Sequence, residues 1–107
     1  MDTARIVLTT CATKEQARTI AHALLTKRLI ACATMLPEAH SLYHWEGKIA
    51  DESEVVLFLK TTVARVGDLE KQLVALHPYR VAEFLVLTPV QVGEAYGKWL
   101  TAEVLGV

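Results

Sequence analysis

The chain has 107 residues, 52% of them hydrophobic and 21% charged, with a net charge of −1. That length supports one domain with a single core, and near-neutrality without a basic block argues against nucleic acid or an anionic membrane as partner. No apolar run reaches the roughly 18 residues of a membrane helix, and MDTARIVLTT lacks a signal-peptide layout, so a cytoplasmic protein with two reduced cysteines is expected.

Residues 4–12, ARIVLTTCA, read as a strand through Ile6, Val7 and Thr9. Thr13 followed by Gln16 forms a capping box that starts a helix over 14–28, with Ala17, Ile20, Ala21, Leu24 and Leu25 at helical spacing. From Leu29 to Thr62 the pattern is extended. Ile30 to Trp45 and Lys48 to Thr62 form two arms, with Glu46-Gly47 at the tip, where Gly47 can take the left-handed conformation of a tight turn. Pro37 cannot donate to a ladder, so a bulge or break is expected there. Arms of about 15 residues far exceed the usual five or six, so the hairpin should overhang its own sheet.

A second helix carries Val66, Leu69, Leu73 and Leu76 on one face and stops at Pro78. A fourth strand is predicted over Val81 to Val90, and a short terminal helix is marked by Tyr96, Trp99 and Leu100. The order βαββαβ plus a helix predicts an α+β, ferredoxin-like domain over 1–107, with both inner helices on one face of an antiparallel sheet. A mean hydropathy of +0.30 is high for so small a chain. EVVLFLK and AEFLVL are apolar on both faces, so the uncovered face needs another copy of the chain, and a closed ring, a homotrimer, is expected.

In this topology the end of strand 1 lies beside the start of strand 4, which brings Cys11 near the segment HPYRVAE. A Cys11 thiolate, the His77 imidazole and the Glu83 carboxylate suit copper or zinc. Tyr43, His44 and Trp45 at the hairpin end point to the same region, whereas Lys60 ends strand 3 at the opposite end and can join only from a neighbouring subunit. A structural reading stands beside this one. Cys11 is then a small core residue, His77 a helix-terminal cation, Glu83 a partner of Arg80 or Lys60, and Tyr79 and Trp45 packing residues. Asp51, Glu52 and Glu54 read as a solvated strand start.

Other functions of the fold are unsupported. EVVLFLK is no RNA-stacking platform, TTCATKEQ has one cysteine where a heavy-metal chaperone needs two, and no glycine precedes the first helix to cradle phosphate. No local Ser–His–Asp, Cys–His or paired-carboxylate arrangement suggests an enzyme.

RLIACATMLP (28–37), SLYHWEGKI (41–49), EVVLFLKTT (54–62), HPYRVAE (77–83) and YGKWL (96–100) together resemble the CutA divalent-cation tolerance proteins. The resemblance runs in order from Thr10 to Leu100. It implies a trimer related in architecture to the PII signalling proteins, a role in tolerance of copper or another divalent metal, a cytoplasmic setting and no catalysis. It also implies a copper site on Cys11 and His77, no metal being required for folding, and a cleft lined by Trp45, Lys60, Tyr79 and Glu83. A second histidine precedes the first in some members; here that position is Leu76, and Glu83 or His44 would have to compensate. A PII-like small-molecule sensor with inter-subunit clefts, or a purely structural trimer, remains the alternative.

Overall fold

The structure, a computed structural model, describes residues 3–105, so the ends of the expected 1–107 domain lie outside the described residues. Strand β1 (Ala4–Cys11) leads into helix α1 (Lys14–Thr26), then the long strands β2 (Cys32–Trp45) and β3 (Lys48–Thr62). A single 3₁₀ turn (Val63–Arg65) precedes α2 (Val66–Leu76), followed by β4 (Leu85–Leu87) and α3 (Glu94–Leu105). The sheet order is β2-β3-β1-β4, with every neighbouring pair antiparallel. This is the expected α+β arrangement.

Local chemistry explains each boundary. Thr13 Oγ1 accepts from the Gln16 amide at 3.1 Å, and Gln16 Oε1 accepts from the Ala12 amide at 3.2 Å, one residue beyond the usual box partner. Helix α1 ends at Thr26, two residues before the expected 28, because Arg28 turns left-handed at φ 58°. The Leu29 amide then reaches back to the Leu24 carbonyl and the Arg28 amide to the Leu25 carbonyl, a Schellman closure with arginine where glycine is usual.

Trp45 and Lys48 pair across a two-residue tip, with Glu46 at φ 49° and Gly47 at φ 78°. Two successive positive φ values make the primed turn that matches strand twist. At the expected break, Pro37 and Glu38 together oppose the single residue Val55, and Glu38 adopts φ 64°.

Strand alternation then sorts the side chains. Val7, Cys11, Val55, Leu57 and Leu59 face α1 and α2, where Ala17, Ile20, Leu24, Leu69 and Leu73 complete a dry core. Their in-between neighbours form the second face, where Leu36 is 51% exposed, Leu85 52% and Leu87 43%. Helix α3 packs on β3 and β1, and its Tyr96 reaches Cys32. Cys32 pairs with Lys60, which in turn pairs with Ile6, so α3 covers only this end of the second face.

The fourth strand departs most from expectation: only Leu85–Leu87 pairs, not 81–90. Upstream, the Thr10 carbonyl that a longer ladder would reach is already taken by the His77 ring at 2.7 Å. Downstream, Pro89 has no amide proton to offer.

Candidate functional site

The β1 terminus, the α2 stop and the β2–β3 hairpin meet as the topology requires. Cys11 Sγ lies 3.9 Å from His77 Nε2, and both residues are buried. His77 is fixed at both nitrogens. Nε2 donates to the Thr10 carbonyl at 2.7 Å, and Nδ1 accepts from the Tyr79 amide at 3.1 Å. A nitrogen that accepts from an amide needs its lone pair, so the ring is neutral and its proton sits on Nε2. Pro78 assists by ending α2, which releases the Tyr79 amide to face the ring it follows.

Tyr79 packs its ring on His77 with centroids 4.6 Å apart, and its hydroxyl donates to Glu54 Oε2 at 2.8 Å. Glu54 is only 6% exposed. Its charge colours the whole region. Burial, then the Glu54 carboxylate, pushes the Cys11 thiol up to about 11. Burial, then the hydrogen bond and charge of Glu54, raises the Tyr79 phenol. Burial, then Glu54, also raises Glu83.

A cavity of about 850 Å³ opens at this corner, lined among others by Tyr43, Trp45, Glu54, Tyr79 and Glu83. Arg80 lies 5.3 Å from the Trp45 ring centroid and pairs with Glu46 at 3.9 Å, not with Glu83. Lys60 stands at the other end of β3, as the strand order predicts. Its ammonium donates to Thr34 Oγ1 at 2.8 Å and approaches Cys32 Sγ at 3.6 Å.

Of the residues singled out from sequence, Cys11, His77 and Tyr79 are thus joined in one bonded group. Tyr43, Trp45 and Glu83 share the adjoining cavity, and Lys60 is remote within the same chain. Glu54 corrects the reading of a solvated strand start. The signal for it is alternation, since Glu54 continues the row of Val56 and Phe58 on the second face.

As they stand, these donors do not fit a metal ion. His77 has no free lone pair, the Cys11 thiol is held protonated, and no bond links Glu83 to either. Among the described residues no three His, Cys, Asp or Glu side chains converge tightly enough to hold an ion. Nor is this a nucleophilic dyad: the imidazole nitrogen nearest the sulfur already carries a proton and has no capacity to take the thiol's.

Residues 5–103 match the family model of the CutA1 divalent ion tolerance protein. The divalent-cation tolerance protein CutA of Escherichia coli O45:K1 is 45% identical over 101 residues, covering 94% of this chain and 89% of that protein. The structure of CutA from Xylella fastidiosa superposes with a TM-score of 0.93 at 35% identity, covering 97% of this chain and 99% of that one. CutA from Archaeoglobus fulgidus, described as a periplasmic divalent cation tolerance protein, gives 0.91 at 26% identity, covering 94% and 98%. On its sequence blocks, its strand order and these matches, the chain belongs to the CutA1 divalent ion tolerance family.

Proposed function

We propose that this chain serves divalent metal-ion tolerance as a non-catalytic, cytoplasmic homotrimer. The observation that carries the assembly is the open second face of the sheet. Leu36, Leu85 and Leu87 are 51%, 52% and 43% exposed there, and the hairpin beyond the sheet adds Leu42 at 67% and Ile49 at 72%. Apolar surface of this extent marks an association site, and a closed ring of identical chains buries it on every copy. Sedimentation at micromolar concentration tests the assembly; a folded monomer would overturn it.

The family resemblance implies copper or another divalent ion at Cys11 and His77, with Glu83 added as a third ligand or orienting group. Loading that set requires the thiol to lose its proton and His77 to leave Thr10 or the Tyr79 amide. The hydrogen bonds already satisfy the pair, so folding does not depend on a metal. Copper titration into wild type, Cys11→Ser and His77→Ala tests the assignment. Weak, equal binding in all three is the expected result; a tenfold loss in either variant would restore the pair as ligands.

A second reading, a small-molecule sensor, is favoured by a separate observation, the cavity walled by Tyr43, Trp45 and Tyr79 beside Glu54. Concave aromatic pockets with a few placed polar groups are the usual form of ligand sites. Thermal-shift screening of wild type against metals and metabolites distinguishes the two readings.

A further inference from the structure

Glu54 is a buried acid without a cation. Only 6% of it is exposed, and among the described residues its single bond comes from the Tyr79 hydroxyl and no ion pair joins it to a lysine, arginine or histidine. A carboxylate withdrawn from water is costly unless a positive group or several donors compensate it, and one phenol supplies one of the four or so lone-pair sites.

What Glu54 does face is the cavity of about 850 Å³. Its walls include three phenol or indole rings, Tyr43 and Trp45 from the hairpin and Tyr79 from the segment after α2, with His44 and Arg80 beside them. Rings beside an acid suit a cation with a hydrocarbon body, because the ring face attracts positive charge and the carboxylate accepts its N–H bonds. Trp45 already holds such a charge, the Arg80 guanidinium 5.3 Å from its centroid. A bare divalent ion is a poorer occupant, since it needs several oxygen ligands at once and no three acidic or imidazole side chains converge here.

We propose that this cavity is a receptor for a primary alkylammonium compound, with the ammonium on Glu54 and the alkyl chain against Tyr43, Trp45 and Tyr79. Glu52 and Glu83 line the same cavity and offer carboxylates to the second ammonium of a diamine. The proposal rests on the small-molecule reading above, and its ammonium site on Glu54 uses neither Cys11 nor His77.

Calorimetric titration of the full chain with 1,4-diaminobutane at neutral pH and low salt tests it. One saturable site per chain is expected, weakened at least about tenfold by Glu54→Gln, which loses the charge but keeps an acceptor for Tyr79. Tetramethylammonium, which has no N–H to donate, should bind far more weakly. No saturable heat, equal binding by Glu54→Gln, or equal binding of tetramethylammonium would each overturn the proposal. Binding that appears only in Lys60→Ala would also overturn it, since the cavity's cation would then be a lysine of a second copy. Should Glu54→Gln fail to fold, Trp99→Phe leaves Trp45 as the one tryptophan. Its fluorescence must then change on titration with 1,4-diaminobutane, and unchanged emission counts against the site. The copper titration has a different readout, so failure of the metal assignment and failure of this one are distinguishable.

Discussion

The two ends of the sheet carry similar residues in opposite electrostatic settings. At one end a buried cysteine, Cys11, meets a tyrosine and an acid, Tyr79 and Glu54. At the other a partly exposed cysteine, Cys32, meets a tyrosine and an ammonium, Tyr96 and Lys60. The chain has only these two cysteines, so the contrast is internal and clean. A thiol beside a carboxylate in a dry site is kept neutral, while a thiol that water can reach beside a cation has the surroundings of a reactive one. Residue type therefore says little here about chemistry; the sign of the neighbouring charge and the access of water decide it.

The largest expected effect comes from removing the group that holds the acidic end together. His77→Ala deletes a buried ring and orphans both the Thr10 carbonyl and the Tyr79 amide. Denaturant unfolding at fixed protein concentration should show a loss of about 2–4 kcal/mol. A loss below about 1 kcal/mol would mean that the Cys11 end is not braced by this ring.

Thiol alkylation compares the ends directly. Cys32, which water can reach, should react with iodoacetamide at least about tenfold faster than buried Cys11 at neutral pH. Peptide mass spectrometry over time reads both sites in one sample. Equal rates would erase the contrast.

The acidic end also predicts a pH dependence. Burial and Glu54 raise the Glu83 carboxyl above its ordinary value. Between the ordinary glutamate value and that raised one, the folded chain holds more protons than the unfolded chain. Its contribution to stability is therefore present below that window and is lost as pH rises through it. Glu83→Gln should flatten this decline in unfolding free energy measured across the acid range, and an unchanged slope would assign it elsewhere.

The smallest effect belongs to the surface of the same end. Arg80 and Glu46 are both well exposed and 3.9 Å apart, and Arg80→Ala should change stability by less than about 1 kcal/mol. If it costs more, the Arg80 contact with Trp45 is structural as well as a surrogate cation.

Much of the architecture was legible because it is local. The Thr13–Gln16 cap, the Glu46-Gly47 tip, the break at Pro37 and the helix stop at Pro78 each depend on residues within a few positions of one another. The two-faced apolarity of EVVLFLK was legible too, since a period of two assigns alternate residues to opposite faces. The approach of Cys11 to HPYRVAE needed one further step, the strand order of the split arrangement, and the structure bears it out at 3.9 Å. Strand β4 falls short of the predicted 81–90 because apolar, β-branched residues announce a strand without saying whether the neighbouring carbonyls are free.

Periodicity, turn chemistry and motifs in series are enough to read off the elements, the antiparallel order, the surplus of apolar surface and the family. The burial of Glu54, the occupation of both His77 nitrogens and the convergence of Lys60 and Tyr96 on Cys32 become visible once the chain is folded. Burial of Glu54, occupancy of His77 Nε2 and the surroundings of Cys32 each depend on groups more than twenty positions apart in the chain, brought together by β1 lying between β3 and β4 and by α3 folding back across the sheet. His77 Nδ1 is held locally, by the amide two residues on, once Pro78 has ended α2.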